Sequence, residues 1–223
     1  DTDIVFICVP TPSLKSGKCN VHIVKDVVFE LNKLDYQGVI AIKSTVEPGT
    51  TKNLQEKYPD RTISYVPEFL RERCAITDFC EHHDLCVIGT DDLNVFNLIK
   101  EVHGKFPQNI VQLSVTEAEL VKYFNNVYAA TLITFANSFY EVCQGLDANY
   151  TKVKNAVVNR NHITDQYLDC NENFRGFGGV CLPKDTRALN RLAKELKTNS
   201  KLFHTILKEN ERYITTVFDG MRK

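Results

Sequence analysis

Up to about Ser114, short unbroken apolar runs alternate with stretches whose apolar residues recur every three or four positions, and beyond it only the second pattern remains. Residues 4–9 (Ile-Val-Phe-Ile-Cys-Val) form the first run and 39–42 a second bounded by Gly38 and Ser44, while 62–66, 85–88 and 110–113 supply further short strands. Runs without polar alternation predict strands buried on both faces, the pattern of a mostly parallel sheet. Between them, 21–34 repeats Val24, Val27, Val28, Leu31 and Leu34, and 93–102 repeats in the same way, which predicts helices covering that sheet. Ligands bind at the carboxyl ends of such strands.

Residues 117–146 hold no Pro and no Gly before Gly145, and their apolar residues keep helical spacing throughout. A helix of about 30 residues is ~45 Å long, which outruns one small domain. It must span between domains or pack on another subunit. Its run Val127, Tyr128, Ala129, Ala130, Leu132, Ile133, Phe135, Ala136, Phe139 and Tyr140 is apolar on nearly every side, which predicts burial all round in a dimer core. Shorter helical patterns follow at 149–158, 183–196 and 200–218, separated by one irregular stretch at 159–180.

Composition narrows the function without naming it. The 223 residues carry 27 Lys+Arg against 28 Asp+Glu, a net charge of −1, and no basic block, so the electrostatic footprint of a nucleic-acid binder is missing. No apolar run approaches the ~20 residues of a membrane span. The chain opens on Asp1-Thr2-Asp3 with neither an initiator Met nor signal-peptide architecture, and reads as a piece of something longer. Eight cysteines are too sparse for a disulfide scaffold, and with Cys8 and Cys86 in strand-like runs and Cys143 in a helical one they predict a reduced, cytoplasmic protein. Cys74, Cys80, His82, His83 and Cys86 cluster in sequence but lack the paired thiolate spacing of a zinc site, so they read as single thiols and a solvated His pair, with no metal.

Candidate chemistry concentrates in Arg175-Gly176-Phe177-Gly178-Gly179-Val180-Cys181-Leu182-Pro183-Lys184-Asp185. The glycines let backbone approach a ligand, and Pro183 suits the first turn of a helix. Cys181 then stands at or beside a helix N-terminus, where unpaired N–H groups and the macrodipole favour a thiolate and Lys184 adds a cation. That predicts a nucleophile of lowered pKa. A small residue packed at a turn fits the same position, and spacing alone leaves both open. Lys122 and Asn126, four apart, share one helix face, either toward a substrate or toward solvent.

The Gly-Phe-Gly-Gly-x-Cys-Leu-Pro-Lys-Asp segment resembles the active-site signature of the UDP-glucose/GDP-mannose dehydrogenase family. Further matches follow in register: Val9-Pro10-Thr11-Pro12, Lys43-Ser44-Thr45-Val46-x-Pro48-Gly49-Thr50-Thr51, Pro67-Glu68-Phe69-Leu70-Arg71-Glu72, Glu119-Leu120-Val121-Lys122 with Asn126, and Arg160. The resemblance implies an α/β fold, a partial Rossmann-like parallel sheet at 1–114 followed by an all-α domain with a long central helix at 115–223. It implies NAD as cofactor and oxidation of a nucleotide-sugar alcohol to the acid through aldehyde and thioester stages, with UDP-glucose the best-matched substrate and GDP-mannose or a UDP-N-acetylhexosamine the alternatives.

By the same resemblance Cys181 is the nucleophile, Lys122 stabilises an oxyanion, Asn126 holds water and sugar, Asp185 activates water or tunes the thiol, and Glu68 is a general base. Phe69, Leu70, Phe177, Gly178 and Lys184 are implied at the substrate, with Arg160 reaching a neighbouring subunit's site. Val9, Pro10, Thr11, Ser44, Thr45 and Glu72 are implied at NAD. A homodimer or higher oligomer through 116–146 is implied too. No G-x-G-x-x-G occurs in the chain. The resemblance expects that fingerprint ahead of Asp1 and a uridine-holding domain beyond Lys223. A piece of a longer dehydrogenase and a naturally short, non-catalytic binding or dimerisation module both fit this pattern.

Overall fold

A computed structural model describes residues 2–213. The strands are β1 (Ile4–Ile7), β2 (Val39–Ile42), β3 (Thr62–Tyr65), β4 (Leu85–Gly89) and β5 (Asn109–Leu113), joined in one sheet of order β1-β2-β3-β4-β5. The helices are α1 (His22–Lys33), α2 (Thr50–Lys57), α3 (Ala75–Cys80), α4 (Leu93–His103), α5 (Val115–Gly145), α6 (Tyr150–Val157), α7 (Cys181–Glu195) and α8 (Leu202–Glu211). The chain divides into two compact units, Asp1–Tyr123 and Phe124–Lys223.

In the first unit β1, β2 and β3 run parallel, as do β4 and β5, while β3 and β4 meet antiparallel at Tyr65 and Gly89. A parallel return needs a crossover long enough to carry the chain back along the sheet. The connection from β3 to β4 holds only the six-residue α3 and a 3-10 turn at Glu72–Cys74, so β4 re-enters from the end at which β3 leaves. Strand β2 is buried at every position, Ile40 and Ile42 packing with Val24, Val28 and Leu54 on one face, Val39 and Ala41 with Val95 and Ile99 on the other. The edges depart from the expectation of double burial: β1 buries only Ile7 fully, β5 none, because an edge strand is covered less on each side. Cys8 lies past the end of β1 and is exposed, not within a buried strand.

Glycine 49, left-handed at φ 95°, gives α2 no capping side chain. Glu119, fully buried on α5, supplies it: Oε2 accepts the Gly49 N–H at 2.5 Å, and Oε1 accepts the Thr51 N–H and hydroxyl at 2.8 and 2.6 Å. Burial pushes this carboxyl upward, against the hydrogen bonds from Thr51 and Gly49. His83 is buried rather than solvated, its ring tilted against that of Phe79 with centroids 5.0 Å apart, and Cys74 turns toward Asp78. Among the described residues no cluster of three or more His, Cys, Asp or Glu could hold a metal ion, and no helix is long and apolar enough to cross a membrane.

The second unit packs Ala130, Ile133, Phe177 and Ile206 in one cluster and Ala136, Cys143, Tyr150, Leu168 and Cys170 in another. The helix expected at 200–218 is observed as α8, and 214–218 lie outside the described residues. Nor is α5 buried all round within this chain. Phe124, Tyr128, Phe135, Phe139, Val142 and Leu146 are exposed, Phe124 at 76% and Leu146 at 75%.

Gly89 allows β4 to end against α5. A Cβ there would lie 2.7 Å from the Ala118 Cβ and 3.0 Å from the Tyr65 carbonyl oxygen, both rigid neighbours. Gly89→Ala is expected to destabilise the protein by about 2 kcal/mol through overpacking, read as a lower urea midpoint at unchanged slope.

Candidate functional site

Two sets of residues carry the candidate chemistry, one in each unit. In the first, adjacent strands β2 and β3 deliver Lys43 and Glu68 just beyond their carboxyl ends, where the ammonium and the Glu68 Oε2 pair at 3.1 Å. The loop after Pro67 curls over the same carboxylate, so Glu68 Oε1 accepts the N–H groups of Phe69 and Leu70 at 2.8 and 3.1 Å. Partial burial pushes this carboxyl up. The Lys43 charge and the two backbone N–H groups outweigh it, and the net position is below the ordinary carboxylate range. Glu68 is therefore an anion at neutral pH. Lys122 on α5 donates to the main-chain oxygen of Glu68, and its ammonium lies 5.5 Å from the centre of the Phe69 ring. Phe69 and Leu70 are half-buried beside it.

The strand-end residues lie around Ser44. Its buried hydroxyl accepts the Val9 N–H at 2.7 Å and sits 2.7 Å from the Val9 carbonyl oxygen, so it holds the chain leaving β1. Cys19 fastens the loop that follows, its thiol approaching the Thr45 and Thr11 carbonyls at 3.4 and 3.6 Å. Thr11 is buried, Thr45 and Val9 are half-buried, and Pro10 is exposed. The side chain of Glu72 lies outside the described residues.

In the second unit α7 opens on Cys181, which is exposed. One turn on, Lys184 and Asp185 are buried: the Lys184 ammonium meets Asp185 Oδ1 at 2.6 Å, and the Asn126 amide donates to Asp185 Oδ2 at 2.6 Å. The Asp185 side chain is 1% exposed, so both of its oxygens are satisfied inside the protein. Lys184 turns to this carboxylate, a partner its place in the sequence did not announce. Phe177 is a core residue with no exposed surface, Gly178 is half-buried, and Arg160 is exposed in the turn after α6. Arg175, which the resemblance left without a role, lies between the rings of Tyr140 and Tyr213 at 4.8 and 4.2 Å and donates to Glu141.

Sequence reasoning quoted Lys43 within a motif but gave it no part. The available signal was a charged residue directly after a fully apolar strand, where solvent access returns and ligands bind.

With this geometry in hand, comparison with known proteins is decisive at family level. Residues 1–107 match the NAD binding domain of the UDP-glucose/GDP-mannose dehydrogenase family, and residues 116–212 match its central domain. The chain belongs to this family. It is similar to UDP-glucose 6-dehydrogenase of Rickettsia typhi, 32% identical over 99% of this chain and 53% of the relative, and to GDP-mannose 6-dehydrogenase of Pseudomonas aeruginosa, 28% identical over 98% and 53%. A solved UDP-glucose dehydrogenase from Pyrobaculum islandicum superposes with a TM-score of 0.85 at 30% identity, covering 95% of this chain and 50% of that one. The chain spans about half the length of the curated relatives it matches. NAD is the family's cofactor. The residues present suit an edge of it: half-buried Val9 and Thr45 and exposed Pro10 lie at the carboxyl ends of parallel strands, in loops pinned from within by Ser44 and Cys19.

The Glu68 value lies below that of the unfolded chain, so its pairing stabilises the fold above the ordinary carboxylate range and is lost as pH falls through the lowered value. Lys43→Met is expected to reduce stability at neutral pH and to converge on wild type as pH falls through the lowered Glu68 value, measured as urea midpoints across a descending pH series.

Proposed function

We propose that this chain supplies the catalytic residues and part of the NAD site of an enzyme that oxidises UDP-glucose to UDP-glucuronate. The observation that carries the reading is Cys181 at the first residue of α7, exposed, one turn from an Asp185 carboxylate fixed by Asn126 and Lys184. At that helix end the sulfur stands exposed beside the first N–H groups of α7, open to an electrophilic carbon. When bound, NAD accepts hydride in each of the two oxidations, taking four electrons from the sugar in all. Between them the Cys181 sulfur adds to the aldehyde carbon, giving a thiohemiacetal and, after the second oxidation, a thioester. Water then attacks the thioester carbonyl, the carbon–sulfur bond breaks, and the acid leaves with the Cys181 thiol restored.

Lys122 suits the oxyanion of those tetrahedral stages, and Asn126 suits the sugar or the water beside it. Glu68, anionic and partly exposed, is the base that accepts a proton from the attacking water. Phe69, Leu70 and Gly178 line the sugar, while Val9, Pro10, Thr11, Ser44, Thr45 and Glu72 shape the NAD edge, Ser44 through the loop it pins. A reduced cytoplasmic setting suits an enzyme that depends on a free thiol. The exposed apolar stripe of α5 is covered by a second copy, and Arg160 reaches that copy's site; six large apolar residues on one helix face are otherwise left in water.

The native protein is expected to reduce NAD with UDP-glucose, and Cys181→Ala to abolish the signal; equal rates in the two would overturn the proposal. GDP-mannose and UDP-N-acetylglucosamine serve as competitors, since a GDP-mannose 6-dehydrogenase is among the similar relatives. A higher initial kcat/KM with either would reassign the sugar. Phe135→Asp, on the exposed stripe, is expected to shift sedimentation toward the monomer, and an unchanged sedimentation coefficient would remove the stripe from the interface.

A further inference from the structure

Gly176 and Phe177, which lead into Gly178-Gly179-Val180-Cys181, are gripped through their main chain by two buried side-chain amides. Asn137 on α5 has no exposed surface. Its Oδ1 accepts the Gly176 N–H at 3.0 Å and the Arg175 Nε–H at 2.7 Å, and its Nδ2 donates to the Ile133 carbonyl at 2.7 Å. Asn210 on α8, 6% exposed, meets Phe177 twice, accepting its N–H at 2.7 Å and donating to its carbonyl at 2.8 Å. This two-point contact copies the pairing of neighbouring strands. It needs one donor and one acceptor side by side, which a carboxamide has and a carboxylate lacks.

The clamp falls where the chain is otherwise least constrained. Gly176 and Gly179 are left-handed at φ 67° and 72°, and glycine linkages leave a loop more conformations than other residues would. Phe177 sits between them with its ring in the core beside Ala130, Ile133 and Ile206, four residues before Cys181. Main chain and side chain of one residue are thus both fixed just ahead of the helix that opens on the thiol.

We propose that Asn137 and Asn210 are positioning residues for Cys181: they hold Gly176 and Phe177 so that α7 begins, and its free N–H groups gather, at the sulfur. The inference rests on the reading of Cys181 as nucleophile, and two of its three tests need no turnover. In the native protein, hydrogen exchange of the Gly176 and Phe177 amides is expected to be as slow as in the interior of α7. Exchange as fast as at 171–173 would overturn the clamp whatever the variants do.

Asn210→Asp and Asn137→Asp are then compared with Tyr150→Phe, which removes a buried hydrogen bond to Leu168 elsewhere in the same unit. Iodoacetamide alkylation of Cys181, followed by mass spectrometry with exposed Cys8 and Cys80 as internal references, is expected to slow about tenfold in the two Asn variants and to stay unchanged in Tyr150→Phe. Equal or faster Cys181 alkylation in both Asn variants at a lowered melting temperature would mean a structural role only. In turnover, kcat is expected to fall with KM little changed, and a rise in KM alone would count against positioning. Wild-type protein that shows the exchange and alkylation pattern without NAD reduction would refute the proposed activity and leave the clamp standing.

Discussion

Helix α5 buries Glu119, Asn126 and Asn137 among apolar residues such as Tyr123, Val127 and Ile133, and each buried polar group requires a partner, because an unsatisfied one costs about 1–3 kcal/mol. Glu119 meets the N-terminus of α2, Lys122 the Glu68 carbonyl, Asn126 the Asp185 carboxylate, Asn137 the loop at Gly176, and Glu141 the Arg175 guanidinium. These five follow one another along a single helical stripe, interrupted by Ala130 and Ile133. The remaining hydroxyls are handled locally: Thr131, Thr134 and Ser138 donate to carbonyls one turn back on the same helix. The segments that carry candidate chemistry are those that answer this stripe.

A buried polar stripe contributes less to stability than a hydrophobic one of the same area, since hydrogen bonds formed on folding replace hydrogen bonds to water. Its return is in definition. Leu and Ala slide past one another at small cost, whereas Asn126 against Asp185 or Asn210 against Phe177 fits one register. Apolar packing supplies the bulk of the folding energy in each unit, through clusters such as Val24-Val28-Ile40-Ile42 and Ala130-Ile133-Phe177-Ile206. Polar contacts then choose among the arrangements that packing alone would allow.

Much of this was legible in the chain. Short apolar-rich runs marked every strand, unbroken in β1 and β2 and interrupted by Ser64 in β3 and Gln112 in β5, and the long helix was evident because nothing in 117–144 breaks it. The start of α7 was readable from Pro183 and the glycines before it. Helix α2 was not, because it buries only Thr51 and Leu54 and takes its cap from Glu119, 68 residues away. The reversed direction of β4 depends on a short connection, and periodicity does not record connection geometry. The helix α5 misled in a particular way: apolar residues on nearly all sides suggested burial all round, yet Phe124, Tyr128, Phe135 and Phe139 are exposed while Glu119, Asn126 and Asn137 are buried beside Val127 and Ile133. Asn137 and Asn210 were invisible for the same reason, their partners lying 39 and 33 residues away.

The two candidate carboxylates, Glu68 in the first unit and Asp185 in the second, are held in opposite ways. Asp185 has one oxygen on Lys184 and the other on Asn126, with almost no exposed surface. A group so enclosed presents almost no surface to solvent and holds Asn126 and the first turn of α7 in place. Glu68 has Oε1 engaged by two backbone N–H groups and Oε2 paired with Lys43, and its side chain is 32% exposed. Room for a water remains at Oε2. Lys43 lowers the basicity of that oxygen but keeps it charged, and a thioester, more electrophilic than an oxygen ester, does not require a strong base for its hydrolysis. A lysine that weakens the base is therefore compatible with the proposed chemistry.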